Sequence, residues 1–258
     1  MNNSPVGIFD SGVGGLSIFS VLKEKLPNEN YIYYGDTLNL PYGDKSKEQL
    51  IEITRNIFNF FKSKNVKAVV MACNTTSALT YDVLKDEFDF KIYPMVQNVS
   101  ESIAELNFKK IGVFATNATV NSHAYKMEIQ KSAPDILVFE QACPSWVSIV
   151  ENNRINEKES VRIIKSDLET MLKNNPEKII LGCTHYPYLL NVLSEFCRGD
   201  IFINPAEYFV EYIIKDLIEN NLLSDNNVFD AKFYVSGNHE KFVAAAKLFY
   251  EVKRVERF

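Results

Sequence analysis

The sequence predicts an α/β protein of two similar, doubly wound halves. Three observations carry this prediction. Short apolar segments that end in small polar residues alternate with amphipathic segments of helical length. Several of the short segments are apolar throughout, as strands covered on both faces are. The chain also carries a faint internal repeat. Val6-Gly7-Ile8-Phe9-Asp10-Ser11 is echoed by Ile111-Gly112-Val113-Phe114-Ala115-Thr116, and Val69-Val70-Met71-Ala72-Cys73-Asn74-Thr75 by Ile179-Ile180-Leu181-Gly182-Cys183-Thr184-His185, in the same order and at nearly the same offset.

The elements follow in order. Residues 6–10 form an apolar strand closing on Asp10-Ser11, and residues 15–26 an amphipathic helix. Strand 31–35 ends at Asp36-Thr37; a turn-rich loop through Pro41-Tyr42-Gly43 leads to helix 46–62 and offers backbone N–H groups and a lid aromatic. Strand 68–72 ends on Cys73-Asn74-Thr75 before helix 77–86, and strand 91–94 precedes helix 99–106. The second half begins with strand 111–115, which ends on Thr116, then helix 119–131, strand 136–140 and helix 158–172. Strand 178–182 ends on Cys183-Thr184-His185 and precedes helix 188–196. Strands 201–204 and 232–235 and helices 206–220 and 239–250 complete the pattern, and the mixed-charge run 253–257 reads as a solvated end.

Composition narrows the function. The 258 residues are 46% hydrophobic and 24% charged, as in ordinary globular proteins. A net charge of −5 without basic blocks argues against nucleic acid as a partner. The longest apolar runs span about six residues, whereas a membrane helix needs roughly twenty, so no membrane association is expected. The N-terminus shows no basic region followed by a long apolar one, so no secretory signal is expected. The four cysteines lie far apart with no C-x-x-C pair, which argues against a disulfide framework, a dithiol redox centre or a metal site and fits a reducing cytoplasm. Gly12-Val13-Gly14-Gly15 suggests a dinucleotide loop, but Ser17 stands where the third glycine belongs and Asp10 would face a pyrophosphate. Nucleotide binding is therefore not expected.

In open α/β sheets, ligands bind beyond the carboxyl ends of the strands. Those ends hold Asp10-Ser11, Asp36-Thr37, Cys73-Asn74-Thr75, Thr116 with Thr119, and Cys183-Thr184-His185. Two thiols thus occupy equivalent places in two similar halves. Facing each other across a cleft, they suit removal of a proton from one face of a carbon and delivery of another to the opposite face. Each Cys begins the turn into a helix, where backbone N–H groups favour a thiolate. Asp10 could relay a proton near Cys73, and His185 near Cys183. Ser11, Asn74, Thr75, Thr76, Ser77, Thr116, Thr119 and Thr184 could hold carboxylates with neutral donors, although Ser, Thr and Asn also serve as plain helix caps. Buried cysteine is often a small hydrophobe, the reading that suits Cys143 and Cys197. Trp146 reads as core, and His123 and His239 as surface or structural residues.

Together, Asp10-Ser11-Gly12-Val13-Gly14-Gly15-Leu16, Tyr34-Gly35-Asp36-Thr37 through Pro41-Tyr42-Gly43, Ala72-Cys73-Asn74-Thr75 and Gly182-Cys183-Thr184-His185-Tyr186-Pro187 resemble the bacterial glutamate racemases of the aspartate/glutamate racemase family. The resemblance implies cofactor-independent interconversion of L- and D-glutamate, supplying D-glutamate for peptidoglycan, by a cytoplasmic homodimer. It implies Cys73, facing D-glutamate, and Cys183, facing L-glutamate, as the acid/base thiols, with Asp10, Glu151 and His185 in support. It implies Ser11, Tyr42, Gly43, Asn74, Thr75, Thr116, Thr119 and Thr184 as substrate contacts, together with Asp10 and His185. It implies two similar doubly wound α/β domains with the active site in the cleft between them, an N-terminal domain of residues 1–94 and 208–258 and an inserted second domain of residues 95–207. The sequence departs from the usual family pattern at Met95-Val96-Gln97-Asn98, at Thr76, and between Cys143 and Glu151. A racemase of aspartate or another amino acid, and a small-molecule binding protein with idle thiols, remain the alternatives.

Overall fold

The computed structural model describes residues 2–226, 229–247, 249–252 and 254–257. Two wholly parallel sheets organise them. The first contains β1 (Val6–Asp10), β2 (Tyr31–Gly35), β3 (Ala68–Met71) and β4 (Lys91–Pro94), and, from the end of the chain, β9 (Ala231–Val235) and β10 (Val255–Arg257). The second contains β5 (Lys110–Ala115), β6 (Leu137–Ala142), β7 (Lys178–Gly182) and β8 (Phe202–Ile203). The strand orders are β10-β9-β2-β1-β3-β4 and β6-β5-β7-β8.

These orders fix where a ligand can bind. In the first sheet the chain builds outward in one direction from β1 to β2 and in the other to β3, with Val6 beside both Tyr31 and Ala68. In the second it does the same from β5 to β6 and to β7. A crevice opens where strand order reverses, because the helices leaving the two strands cover opposite faces. The carboxyl ends at the two reversals carry Asp10 and Cys73 in one sheet, and Thr116 and Cys183 in the other.

The helices are α1 (Leu16–Lys25), α2 (Lys47–Ser63), α3 (Asn74–Leu84), α4 (Met95–Ala104), α5 (Asn117–Ser122), α6 (Ala124–Ser132), α7 (Pro144–Glu151), α8 (Lys158–Leu172), α9 (Leu190–Ser194), α10 (Pro205–Glu219) and α11 (His239–Ala246). A capping box starts α2: Ser46 Oγ accepts from Gln49 N–H at 3.3 Å and Gln49 Oε1 accepts from Ser46 N–H at 3.0 Å. One apolar cluster joins the two sheets, running from Val6 and Ile8 through Val96, Val99, Phe209 and Ile213 to Ile111 and Val113. At the amino-terminal end of β3, the buried Lys67 ammonium lies 2.6 Å from Glu29 and also donates to the carbonyls of Asn2 and Leu222. This satisfied buried charge ties four chain segments together on the side away from the crevices.

Several expectations need correction. The helix expected over 119–131 is broken at His123, which adopts φ 52°, ψ 24° in the left-handed region. Helices α3 and α4 begin at Asn74 and Met95, directly after Cys73 and Pro94, earlier than the apolar periodicity suggests. The segment 188–196 divides into a 3₁₀ turn (Tyr186–Leu189) and α9. Helix α7 lacks a side-chain cap and starts with Pro144, a residue whose missing N–H costs nothing at a helix start. Part of the run 253–257 is an edge strand: Val255 pairs with Phe233, and charged residues suit an edge; Lys253 lies outside the described residues. Trp146 is core, packed on Phe114 and Tyr186 with its indole N–H donating to Asp167 Oδ2 at 2.8 Å.

Candidate active site

Both crevices open into one cavity of about 380 Å³. From the first sheet come Ser11 after β1, Tyr42 and Gly43 from the loop after β2, and Cys73, Asn74 and Thr75 after β3. From the second come Thr116 after β5, Glu151 at the end of α7, and Cys183, Thr184 and His185 after β7. Asp10 and Thr119 stand one layer behind this lining. Cys143 and Cys197 lie elsewhere; Cys143 is fully buried in a separate apolar cluster with Phe114 and Trp146.

The two thiols have unlike surroundings. Cys73 occupies the N-cap position of α3. Burial, and then the nearby Asp10 carboxylate, push its thiol up to about 12, against a smaller pull from the backbone N–H and hydroxyl of Thr76. Cys183 heads no α-helix, contrary to expectation; the chain makes a tight bend there and then the 3₁₀ turn. His185 supplies the charge a helix end would have offered. Its Nδ1 lies 3.7 Å from Cys183 Sγ and its Nε2 lies 2.9 Å from Glu151 Oε1. Burial favours the neutral ring, but the contacts with Cys183 and Glu151 outweigh it and raise the imidazole pKa above its ordinary value. On one wall burial and Asp10 favour the protonated thiol of Cys73, and on the other the Cys183 thiol lies against an imidazole whose charged form Cys183 and Glu151 favour.

Asp10 links the walls. Its carboxylate accepts from Gly12 N–H at 3.0 Å within its own loop and from Thr184 Oγ1 at 3.3 Å across the crevice. Full burial raises its pKa, although His185, the Gly12 and Gly15 amides and Thr184 partly offset this. The glycine run serves this junction and not a pyrophosphate. A Cβ on Gly14 would strike the Thr184 side chain, and one on Gly15 would come within 2.6 Å of Asp10 Cβ. No glycine among the described residues has positive φ, so close approach is what these positions require.

The neutral donors converge beneath the thiols. Thr75 and Thr116 hydroxyls lie 3.0 Å apart, and Thr116 and Thr119 hydroxyls 3.1 Å apart. Thr116 also caps α5 by accepting from Thr119 N–H, so its capping and cavity placement coexist. Asn74 Oδ1 accepts from the buried Tyr125 hydroxyl at 2.6 Å. Asn74 Nδ2 is buried without a partner among the described residues, a donor that an acceptor in the cavity would satisfy. Tyr42 is no mobile lid: it is buried, and its hydroxyl donates to Asp36 Oδ2 at 2.5 Å. Ser236 and Asn39 also donate to Asp36, so this carboxylate fastens the loop. Gln97, a departure from the usual pattern, bonds to Ser77 of α3 through both ends of its amide.

Sequence reasoning missed the α7 wall of Pro144, Val147, Ser148 and Asn152. These residues sit within a turn or two of Glu151, and a helical reading from Pro144 would have found them. It also missed Tyr125 and Asp36 as supports, which only long-range contacts reveal. Among the described residues, no lysine or arginine lines the cavity, and no group of three or more His, Cys, Asp or Glu side chains could hold a metal. No helix among them is long and apolar enough to cross a membrane.

Comparison with known proteins is consistent with this geometry. Residues 17–213 match the family model described as Asp/Glu/hydantoin racemase. The glutamate racemase of Picosynechococcus is 37% identical over 244 residues, 94% of this chain and 87% of that protein. That of Thermoanaerobacter pseudethanolicus is 37% identical, covering 96% of this chain and 94% of its own. The crystal structure of Francisella tularensis glutamate racemase in complex with D-glutamate superposes with a TM-score of 0.93 at 32% identity, covering 100% of this chain and 98% of that one.

Proposed function

The chain belongs to the Asp/Glu/hydantoin racemase family, and from that premise we propose that it interconverts L- and D-glutamate without a cofactor, using Cys73 and Cys183 as its acid/base pair. One observation carries the reading: thiols from the reversal points of two different sheets line a single cavity. A thiolate on one wall takes the α-proton, and the thiol on the other returns a proton to the opposite face. From L-glutamate, Cys183 beside the His185 imidazolium acts as base and Cys73 as acid; from D-glutamate the roles exchange. Asp10 exchanges protons on the Cys73 side, and His185, oriented by Glu151, does so on the Cys183 side.

The α-proton is only weakly acidic, so the carbanion-like transition state needs preorganised donors in a water-poor site. Ser11, Asn74, Thr75, Thr116 and Thr184 supply them, Thr119 supports Thr116 from behind, and Tyr42 and Gly43 close the side-chain end. In this reading residues 1–94 and 208–258 form one domain and 95–207 an inserted one, which the membership of the two sheets supports. The product serves peptidoglycan synthesis in the cytoplasm, and the assembly is a homodimer; light scattering on the purified protein tests the latter.

The decisive experiment is α-proton exchange of L-glutamate in D₂O with no added cofactor. D-glutamate carrying deuterium at Cα, absent with Cys73→Ser and with Cys183→Ser, is the expected result. Exchange with aspartate but not glutamate would keep the mechanism and change the substrate. No exchange with either would end the proposal in favour of a binding protein.

A further inference from the structure

The cavity is lined by two carboxylates, Asp44 and Glu151, and, among the described residues, by no lysine or arginine. Its basic group, His185, is engaged by Cys183 and Glu151. A substrate with two carboxylates therefore meets repulsion on entry unless a cation stands close by. The turn after α7 provides one. Asn153 adopts φ 52°, in the left-handed region. Its N–H bonds the Val150 carbonyl at 3.0 Å, and Arg154 N–H returns to the Ile149 carbonyl at 2.9 Å. This reversal lays Arg154 back along α7, where its Nη2 donates to Ser148 Oγ at 3.3 Å. Ser148 is a wall residue, and its hydroxyl also accepts from the wall residue Asn152 at 3.2 Å.

Arg154 is otherwise exposed, and among the described residues no carboxylate pairs with it. Of the five N–H donors of its guanidinium, most remain available. We propose that Arg154 captures the anionic substrate at the mouth of the cavity, held there by Ser148. It takes no part in proton transfer. Its field acts over the distance at which a charge near a low-dielectric cleft is effective, within the roughly 10 Å Debye length of about 0.1 M salt. The identity of the ligand rests on the racemase reading above; the attraction for anions does not.

Two measurements on the full chain test this. In the first, kcat and KM for glutamate are compared for wild type, Arg154→Gln and Arg154→Lys at about 10 mM and about 300 mM salt, which span most of the range of screening. Arg154→Gln is expected to lower kcat/KM roughly tenfold at low salt, the low end of steering effects. The loss falls on KM with kcat retained, the salt dependence flattens, and Arg154→Lys recovers most of it. In the second, Cys73 and Cys183 are alkylated with anionic iodoacetate and neutral iodoacetamide and mapped by peptide mass spectrometry. Arg154→Gln is expected to slow iodoacetate several-fold while leaving iodoacetamide unchanged. If the wild type does not racemise glutamate yet the iodoacetate preference depends on Arg154, the functional reading fails and the capture site stands. If the wild type racemises glutamate, and both kcat/KM and the reagent preference are unaltered in Arg154→Gln, the capture site alone is overturned.

Discussion

The imidazole of His185 lies 2.9 Å from the Glu151 carboxylate on one edge and 3.7 Å from the Cys183 sulfur on the other. Glu151 comes from α7 and His185 from the loop after β7, so the second half of the chain builds this relay alone. Glu151 accepts from Nε2 and thereby favours the charged ring. Replacing Glu151 with Gln removes that charge and lowers the imidazole pKa. The alkaline limb of kcat/KM is expected to move to lower pH, and activity to fall by about tenfold to a hundredfold, less than the 10²–10⁴ of a group that itself transfers the proton. A pH–rate profile checks both; an alkaline limb that does not move would remove Glu151 from the relay.

The opposite wall makes a different prediction. Burial and the Asp10 carboxylate push Cys73 up to about 12. At neutral pH its thiolate fraction is then about a thousandfold below that of a thiol near 9, and alkylation should be slow by a similar factor. Asp10→Asn removes the charge and should speed iodoacetamide labelling of Cys73 several-fold while slowing racemisation. Peptide mapping over a pH series measures the first and the exchange assay the second. Equal or slower labelling in Asp10→Asn would show that burial acts alone.

The strand-end thiols were legible because an apolar run followed by a small polar turn is a local signal, and its repetition at a constant offset is stronger still. The convergence of Ser11, Asn74, Thr75, Thr116, Cys73 and Cys183 on one cavity followed from that signal and from the rule that ligands sit at carboxyl ends. What escaped is what local sequence does not encode. Ser148 lies on α7 and Asn152 caps its carboxyl end, in a stretch to which the sequence pattern assigned no element. The break at His123 puts a non-glycine residue at positive φ with no compositional signal. Asp36 fastens Tyr42, and Glu29 pairs with Lys67, through contacts between distant segments. The β10 strand is short and charged, and only its parallel neighbour makes it one.

The His185 pair also sets a pH dependence of stability. Its imidazole pKa is raised above the ordinary 6.5 in the folded chain, so the folded state binds its proton more tightly than the unfolded state does. This contribution is fully present below pH 6.5 and is lost as pH rises through the folded pKa. One such proton gives a slope of at most about 1.4 kcal/mol per pH unit. Urea midpoints measured from pH 6 to pH 9 should fall more steeply for wild type than for His185→Asn. Parallel curves would mean the ring is neutral throughout.

The junction between the sheets is sterically closed at Gly14, and this yields the sharpest structural prediction. A Cβ there would strike the Thr184 side chain and come within 3.1 Å of His185 Cε1. Neither neighbour yields readily: Thr184 is buried and bonded to Asp10, and His185 is held between Glu151 and Cys183. Gly14→Ala should therefore cost about 1–3 kcal/mol, as overpacking does in a closed core, and displace the Cys183 relay. At Gly12 the added methyl would meet the tip of the Glu151 side chain at 3.0 Å, a group that can shift, and Leu40 Cδ1 at 3.5 Å, an ordinary contact. Gly12→Ala should accordingly be the milder change in urea unfolding, with its kinetic effect confined to the Glu151 contact. The paired measurement asks whether the glycine run exists to let the two walls meet. Equal stability losses at the two positions would show that it does not.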